Sequence, residues 1–109
     1  MRYGIPEYRL PKAILDEEIA LMCSGGMRIH YGKALGRELD LQSLSTSYDA
    51  VYLALGAQNA VPMPVPGSDL QGCYLGVDFL KAHAKGNTPS LNKRVAIVGG
   101  GNTAIDCAR

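Results

Sequence analysis

Lys93-Arg-Val-Ala-Ile-Val-Gly-Gly-Gly-Asn-Thr-Ala-Ile-Asp-Cys-Ala-Arg109 is, in order, a charged pair, an apolar run, three glycines and the opening of a helix. Val95–Val98 carries apolar side chains on both faces, the pattern of a strand buried inside a parallel sheet. The run stops at Gly99-Gly100-Gly101, and after Asn102 the residues Thr103 to Ala108 read as helix. Gly99, Gly101 and Ala104 stand at the spacing G-x-G-x-x-G/A, the dinucleotide fingerprint. The first glycine allows a sharp turn, and the second lets backbone approach a pyrophosphate. The third, small position lets helix and strand pack closely, and the helix start offers amide N–H groups to phosphate. A complete βαβ unit takes ~30 residues or more, so the expectation is that only its first third is present.

Working outward, the 109 residues suffice for one modest domain and one core. An apolar content of 47% and a charged content of 19% describe an ordinary globular chain. The net charge of +1 gives no reason to expect nucleic acid or an anionic membrane surface as partner. No apolar stretch approaches the ~20 residues of a membrane span, and the N-terminus has no signal-peptide core. The expected location is the cytoplasm. Cys23, Cys73 and Cys107 lie far apart with no C-x-x-C pair, and read as reduced structural thiols without a metal. His30 and His83 share no ligand spacing and read as surface or edge residues.

From the start of the chain, Tyr3-Gly-Ile-Pro-Glu-Tyr-Arg-Leu-Pro11 is an arm in which Pro6 and Pro11 favour extended backbone. Lys12–Ser24 repeats Ile14, Leu15, Ile19 and Met22 at helical spacing, with Asp16, Glu17 and Glu18 on the wet face and Gly25-Gly26 as the stop. Met27–Tyr31 alternates as a strand does, and Gly32–Gly36 is a turn. Asp40 suits the cap of a short helix carrying Leu41 and Leu44. Tyr48-Asp-Ala-Val-Tyr-Leu-Ala-Leu-Gly56 is a second buried-strand pattern ending at glycine. Ala60–Asp69, with proline at every second position from 62 to 66, is a stiff connector. Val77–Lys85 is a short helix stopped by Gly86-Asn87. The alternation of elements calls for an α/β fold, a parallel sheet with flanking helices.

The arm Tyr3–Pro11, the run Tyr48-Asp-Ala-Val-Tyr-Leu-Ala-Leu-Gly-Ala57 and Val98-Gly-Gly-Gly-Asn-Thr-Ala-Ile-Asp106 together resemble the glutamate synthase small (beta) subunit family. The same flavoprotein module occurs in dihydropyrimidine dehydrogenase. The resemblance implies a partial FAD- and NAD(P)-binding Rossmann-like fold. Residues 1–60 would belong to the FAD-binding domain, 61–90 to a linker and crossing helix, and 91–109 to the start of the NAD(P)-binding domain. It implies an NAD(P)H-dependent oxidoreductase in which hydride passes from NADPH to FAD, and electrons pass on to iron–sulfur clusters outside these residues. A nicotinamide dinucleotide and a large glutamate synthase subunit are the implied partners.

Carried over by position, Arg9, Leu35 and Gly56 fall on the FAD side. Gly100, Gly101, Asn102 and Thr103 fall on the NADPH pyrophosphate loop, with Gly99 and Ala104 shaping it. The resemblance further implies an excised piece of such an enzyme, inactive alone. Two other readings stay open: a non-redox nucleotide-binding module, and a structural piece that binds nothing. No general acid, base or nucleophile is assigned, and Asp106 reads as a helix-surface residue.

Overall fold

The computed structural model describes all 109 residues, which form four helices. These are α1 (Lys12–Ser24), α2 (Leu41–Ser47), α3 (Gly76–Ala84) and α4 (Asn102–Ala108). The chain divides into two compact units: Met1–Glu18 with Ala57–Arg109, and Ile19–Gly56.

Local chemistry accounts for the helix ends. Glu7 caps the start of α1, its two carboxylate oxygens accepting from the Lys12 backbone N–H at 3.0 and 3.1 Å. At the far end the Gly26 N–H donates to the Cys23 carbonyl and the Met27 N–H to the Met22 carbonyl. That pair of bonds is a Schellman stop, which needs a left-handed residue, and Gly26 supplies it with φ +99°. The end of α3 repeats the design at Gly86, φ +76°, with Asn87 donating to Ala82. Asp40 caps α2 by accepting the Ser43 N–H at 2.8 Å. The bonds to the Ser43 side chain and backbone hold the Asp40 carboxyl below the usual carboxylate range.

In the first unit the arm turns rather than running extended: Arg9 and Leu10 both donate to the Pro6 carbonyl, at 3.1 and 3.0 Å. Lys12 Nζ then ties the Ile5 and Leu10 carbonyls together, at 2.6 and 3.0 Å. The proline-rich segment already turns at Pro64, where the Val65 N–H donates to the Met63 carbonyl at 2.9 Å. The turning continues from Val65, with Ser68 bonding back to Val65 and Leu70 to Gly67. Farther on, α3 packs against α4.

The expected parallel sheet is not formed. Met27–Tyr31, Tyr48–Gly56 and Val95–Val98 carry no strand pairing, and the one β-bridge joins Leu35 to Leu39 within a tight loop. A strand of the buried type needs a neighbour on each edge and cover on both faces. These runs have neither: Tyr52 is 92% exposed and Val98 74%. Leu15 and Leu80 are the only buried apolar side chains. The accessible surface is 9312 Å², against about 5,800 Å² for a compact monomer of this mass. The hydrophobic pattern therefore asks for more cover than these residues give one another.

Candidate functional site

The glycine loop lies in the first unit and has the shape its spacing calls for. Gly99 has φ +122°, a conformation that side-chain-bearing residues rarely adopt. A methyl group at Gly99 would stand 3.4 Å from the Ala104 Cβ. This is the close approach of incoming chain and outgoing helix that the first and third small positions of the fingerprint permit. At Gly100 and Gly101 an added methyl would meet nothing within 4 Å, so the loop is open on that side. Gly101 precedes α4 without a side-chain cap, and Ile105 donates back to its carbonyl at 3.2 Å. The amides of Asn102, Thr103 and Ala104 thus have no capping side chain to compete with an anion. These features fit a pyrophosphate group.

Helix α4 is held on two faces. Thr103 and Cys107, one turn apart, face Gly76 at the start of α3. A methyl at Gly76 would fall 2.9 Å from Thr103 Cγ2 and 3.3 Å from Cys107 Sγ. The Cys107 thiol donates to the Gly76 carbonyl at 3.6 Å. Burial first, then the neighbouring Asp106 charge, pushes this thiol above its ordinary pKa.

The other face carries Asp106, the only buried polar side chain, and this corrects its reading as a surface residue. Its Oδ1 accepts Arg9 Nε at 3.0 Å, Arg9 Nη2 at 2.5 Å and the Tyr8 hydroxyl. The Arg9 bonds, then the Tyr8 bond, hold the Asp106 carboxyl below the usual range, and Asp106 in turn raises Arg9. Arg109 lies over the Tyr8 ring, 4.2 Å from its centroid. The immediate neighbours cover Asp106, yet the shell beyond them is thin. Arg9 keeps 41% of its side chain exposed, so solvent screens the pair appreciably.

Of the residues singled out by sequence, the first unit therefore holds Arg9 beside Asp106, and Gly99–Ala104 in the loop and first turn of the helix that carries Asp106. Leu35 and Gly56 belong to the second unit. Leu35 is 37% exposed in its tight loop, and Gly56 ends the extended run in a left-handed conformation, φ +70°. A cavity of about 440 Å³ in this unit is lined by His30, Lys33, Tyr48 and Tyr52 among others, but by neither Leu35 nor Gly56. A larger groove of about 790 Å³ in the first unit runs between arm, α3 and α4 past Tyr3, Tyr8, Phe79, His83 and Asp106. None of the nine singled-out residues lines it, and nothing in the residue pattern announces it, because its walls come from three separated stretches. His83, exposed, bonds Thr88 Oγ1 at 2.9 Å. No cluster of three metal-ligating side chains occurs, and no helix is long and apolar enough to cross a membrane.

A glycine turn of this shape leading into a helix has the geometry of a dinucleotide-binding turn. Residues 12–109 match the pyridine nucleotide-disulphide oxidoreductase family, and the chain belongs to it. It is 42% identical over 112 residues to the NADPH-Fe(3+) oxidoreductase subunit beta of Geobacter sulfurreducens, covering 97% of this chain and 16% of the relative. The NADP(+)-dependent formate dehydrogenase subunit beta of Moorella thermoacetica is also 42% identical, over 97% of this chain and 15% of its own length. The glutamate synthase [NADPH] small chain of Halomonas elongata is 34% identical over the whole of this chain and 25% of its own length. The resemblance to the glutamate synthase small subunit thus holds. The chain spans between 15% and 25% of the length of these three relatives.

Proposed function

We propose that this chain is part of a cytoplasmic flavoprotein that takes hydride from NADPH onto FAD and sends electrons on to iron–sulfur centres held outside these residues. The observation that carries this reading is the open glycine loop, Gly99 packed on Ala104 and clear space at Gly100 and Gly101, in a chain of this family. Gly99–Ala104 hold the nicotinamide dinucleotide by its pyrophosphate, through backbone amides rather than charged side chains. Arg9, Leu35 and Gly56 serve the flavin side, with the exposed edge of the Arg9 guanidinium turned to an anion. Residues 1–60 go with the flavin-binding part, 61–90 link and cross, and 91–109 begin the nicotinamide-binding part.

The flavin, when bound, supplies the electron chemistry, and the protein positions and shields it. The named relatives are small or beta subunits, which favours a large-subunit partner, of the glutamate synthase kind or another electron acceptor's. The 109 residues alone turn nothing over, in keeping with a core of two buried apolar side chains.

The test is the visible spectrum of the intact protein before and after NADPH. A flavin band that bleaches supports the reading. A protein that stays colourless with FAD offered sinks it, and leaves a nucleotide-binding module without redox chemistry.

A further inference from the structure

We propose that Asp106 is a positioning residue for the dinucleotide loop: by holding Arg9 and Tyr8 of the N-terminal arm against α4, it fixes where Gly99–Thr103 stand. The inference rests on the reading of that loop as the nicotinamide-dinucleotide site and deepens it. Three observations bear it. Asp106 gathers three donors on one oxygen, from residues 97 and 98 positions away in sequence. Closing so long a stretch of chain has an entropic cost, which charge-assisted hydrogen bonds on one carboxylate oxygen help to offset.

Second, Asp106 lies on the second turn of a seven-residue helix whose first residue, Asn102, belongs to the loop. A helix this short moves as one piece, so a shift at Asp106 is passed to Thr103 and Asn102 with little loss. Third, a second grip on the helix, Gly76 against Thr103 and Cys107, is already at contact distance. Successive positions on a helix point ~100° apart, so α3 and the arm grip α4 from two adjacent directions. Without the arm, α4 would be free to roll on α3, and the amides of the loop would lose their common aim.

Arg9 therefore has two tasks. Its Nε and Nη2 edge holds Asp106, and its exposed edge remains for the flavin side. Only the first is at issue here.

The experiment is a double-mutant cycle in the intact flavoprotein on the dissociation constant for NADP+, with Asp106→Asn, Arg9→Met and both together. Flavin content and melting temperature are followed in each. Asp106→Asn is expected to weaken NADP+ roughly tenfold, the usual size of coupling between contacting residues. KM for NADPH should rise with it, while kcat at saturating NADPH holds. The double variant should bind no more weakly than the weaker single one. Tyr8→Phe, which removes one donor and no charge, should loosen NADP+ in the same direction by a smaller factor, and it decides the matter if Asp106→Asn does not fold.

Unchanged NADP+ affinity in Asp106→Asn, or two effects that multiply in the double variant, overturns the positioning role. Wild-type protein that binds no NADP+ at all removes the dinucleotide reading itself, a result no variant could mimic.

Discussion

Gly76 and Thr103 meet so closely that a methyl group on Gly76 would stand 2.9 Å from the Thr103 γ-methyl. Carbon atoms at ordinary contact are 3.5–4.0 Å apart, so one of the two helices must shift to admit it. Thr103 is β-branched and stiff in a helix, and Cys107 closes the other side at 3.3 Å.

Gly76→Ala is accordingly expected to destabilise. Overpacking of this kind costs about 1–3 kcal/mol, while replacing a helical glycine by alanine returns at most about 1 kcal/mol. The loss should win, and the melting temperature should fall. A raised melting temperature would mean that α3 and α4 are not in contact at this point.

Gly101→Ala should behave in the opposite way. Its added methyl meets nothing within 4 Å and its φ, −80°, is open to any residue. Stability should therefore be unchanged or slightly higher, while NADP+ binding to the intact protein drops, because the methyl enters the space assigned to the pyrophosphate. Gly99→Ala should instead lose stability by about 1–3 kcal/mol, since its φ of +122° strains any side chain. Calorimetry and a binding titration separate the two. Equal loss of stability in both would show that the open side of the loop is in fact packed.

The helices were legible because the signals that make them are local. The period of apolar residues, the capping Asp40 and the glycine stops after Ser24 and Ala84 all act within a turn or two of chain. The bounds of α1, Lys12–Ser24, match the periodic stretch. The sheet was not legible in the same sense. Tyr48–Gly56 and Val95–Val98 have the composition of buried strands, but pairing is a contact between distant segments, and composition states only the need for it. Asp106 escaped for the same reason. Its spacing on α4 says nothing of Tyr8 and Arg9, and an acid in the second turn of a short helix is ordinarily wet. The arm did stand out, as a proline-marked motif, though its bond to α4 is a fact of tertiary structure alone. Glu7, sitting five residues before the N–H it caps, fits no capping pattern by position.

The three cysteines should differ in reactivity. Cys23 and Cys73 are exposed, whereas Cys107 is half-buried between α4 and Gly76. Thiolate is the reacting form, and burial together with the Asp106 charge holds Cys107 in the thiol form. A thiol reagent at mildly alkaline pH should therefore label Cys23 and Cys73 quickly and Cys107 only as the protein unfolds. Mass spectrometry of timed samples reads this directly. Cys107 labelled as fast as the other two would mean that α3 and α4 part readily.

The arm–helix contact should fail in acid, and in a definite window. Asp106 is held below the ordinary carboxylate pKa of about 3.9, by Arg9 first and by Tyr8 second. A carboxylate whose folded pKa lies below its unfolded one binds fewer protons when folded. The stability it contributes is then complete above the unfolded value and disappears as pH falls through the lowered folded value. Arg9 is raised further above its already high value and stays charged throughout, so Asp106 is the member of the pair that switches. The Nε–H resonance of Arg9 should hold its position from neutrality down to about pH 4 and move only below the ordinary carboxylate midpoint. In Asp106→Asn it should not titrate. A midpoint at or above 3.9 would show that Arg9 does not stabilise the Asp106 charge, and the arm would then rest on α4 by packing alone.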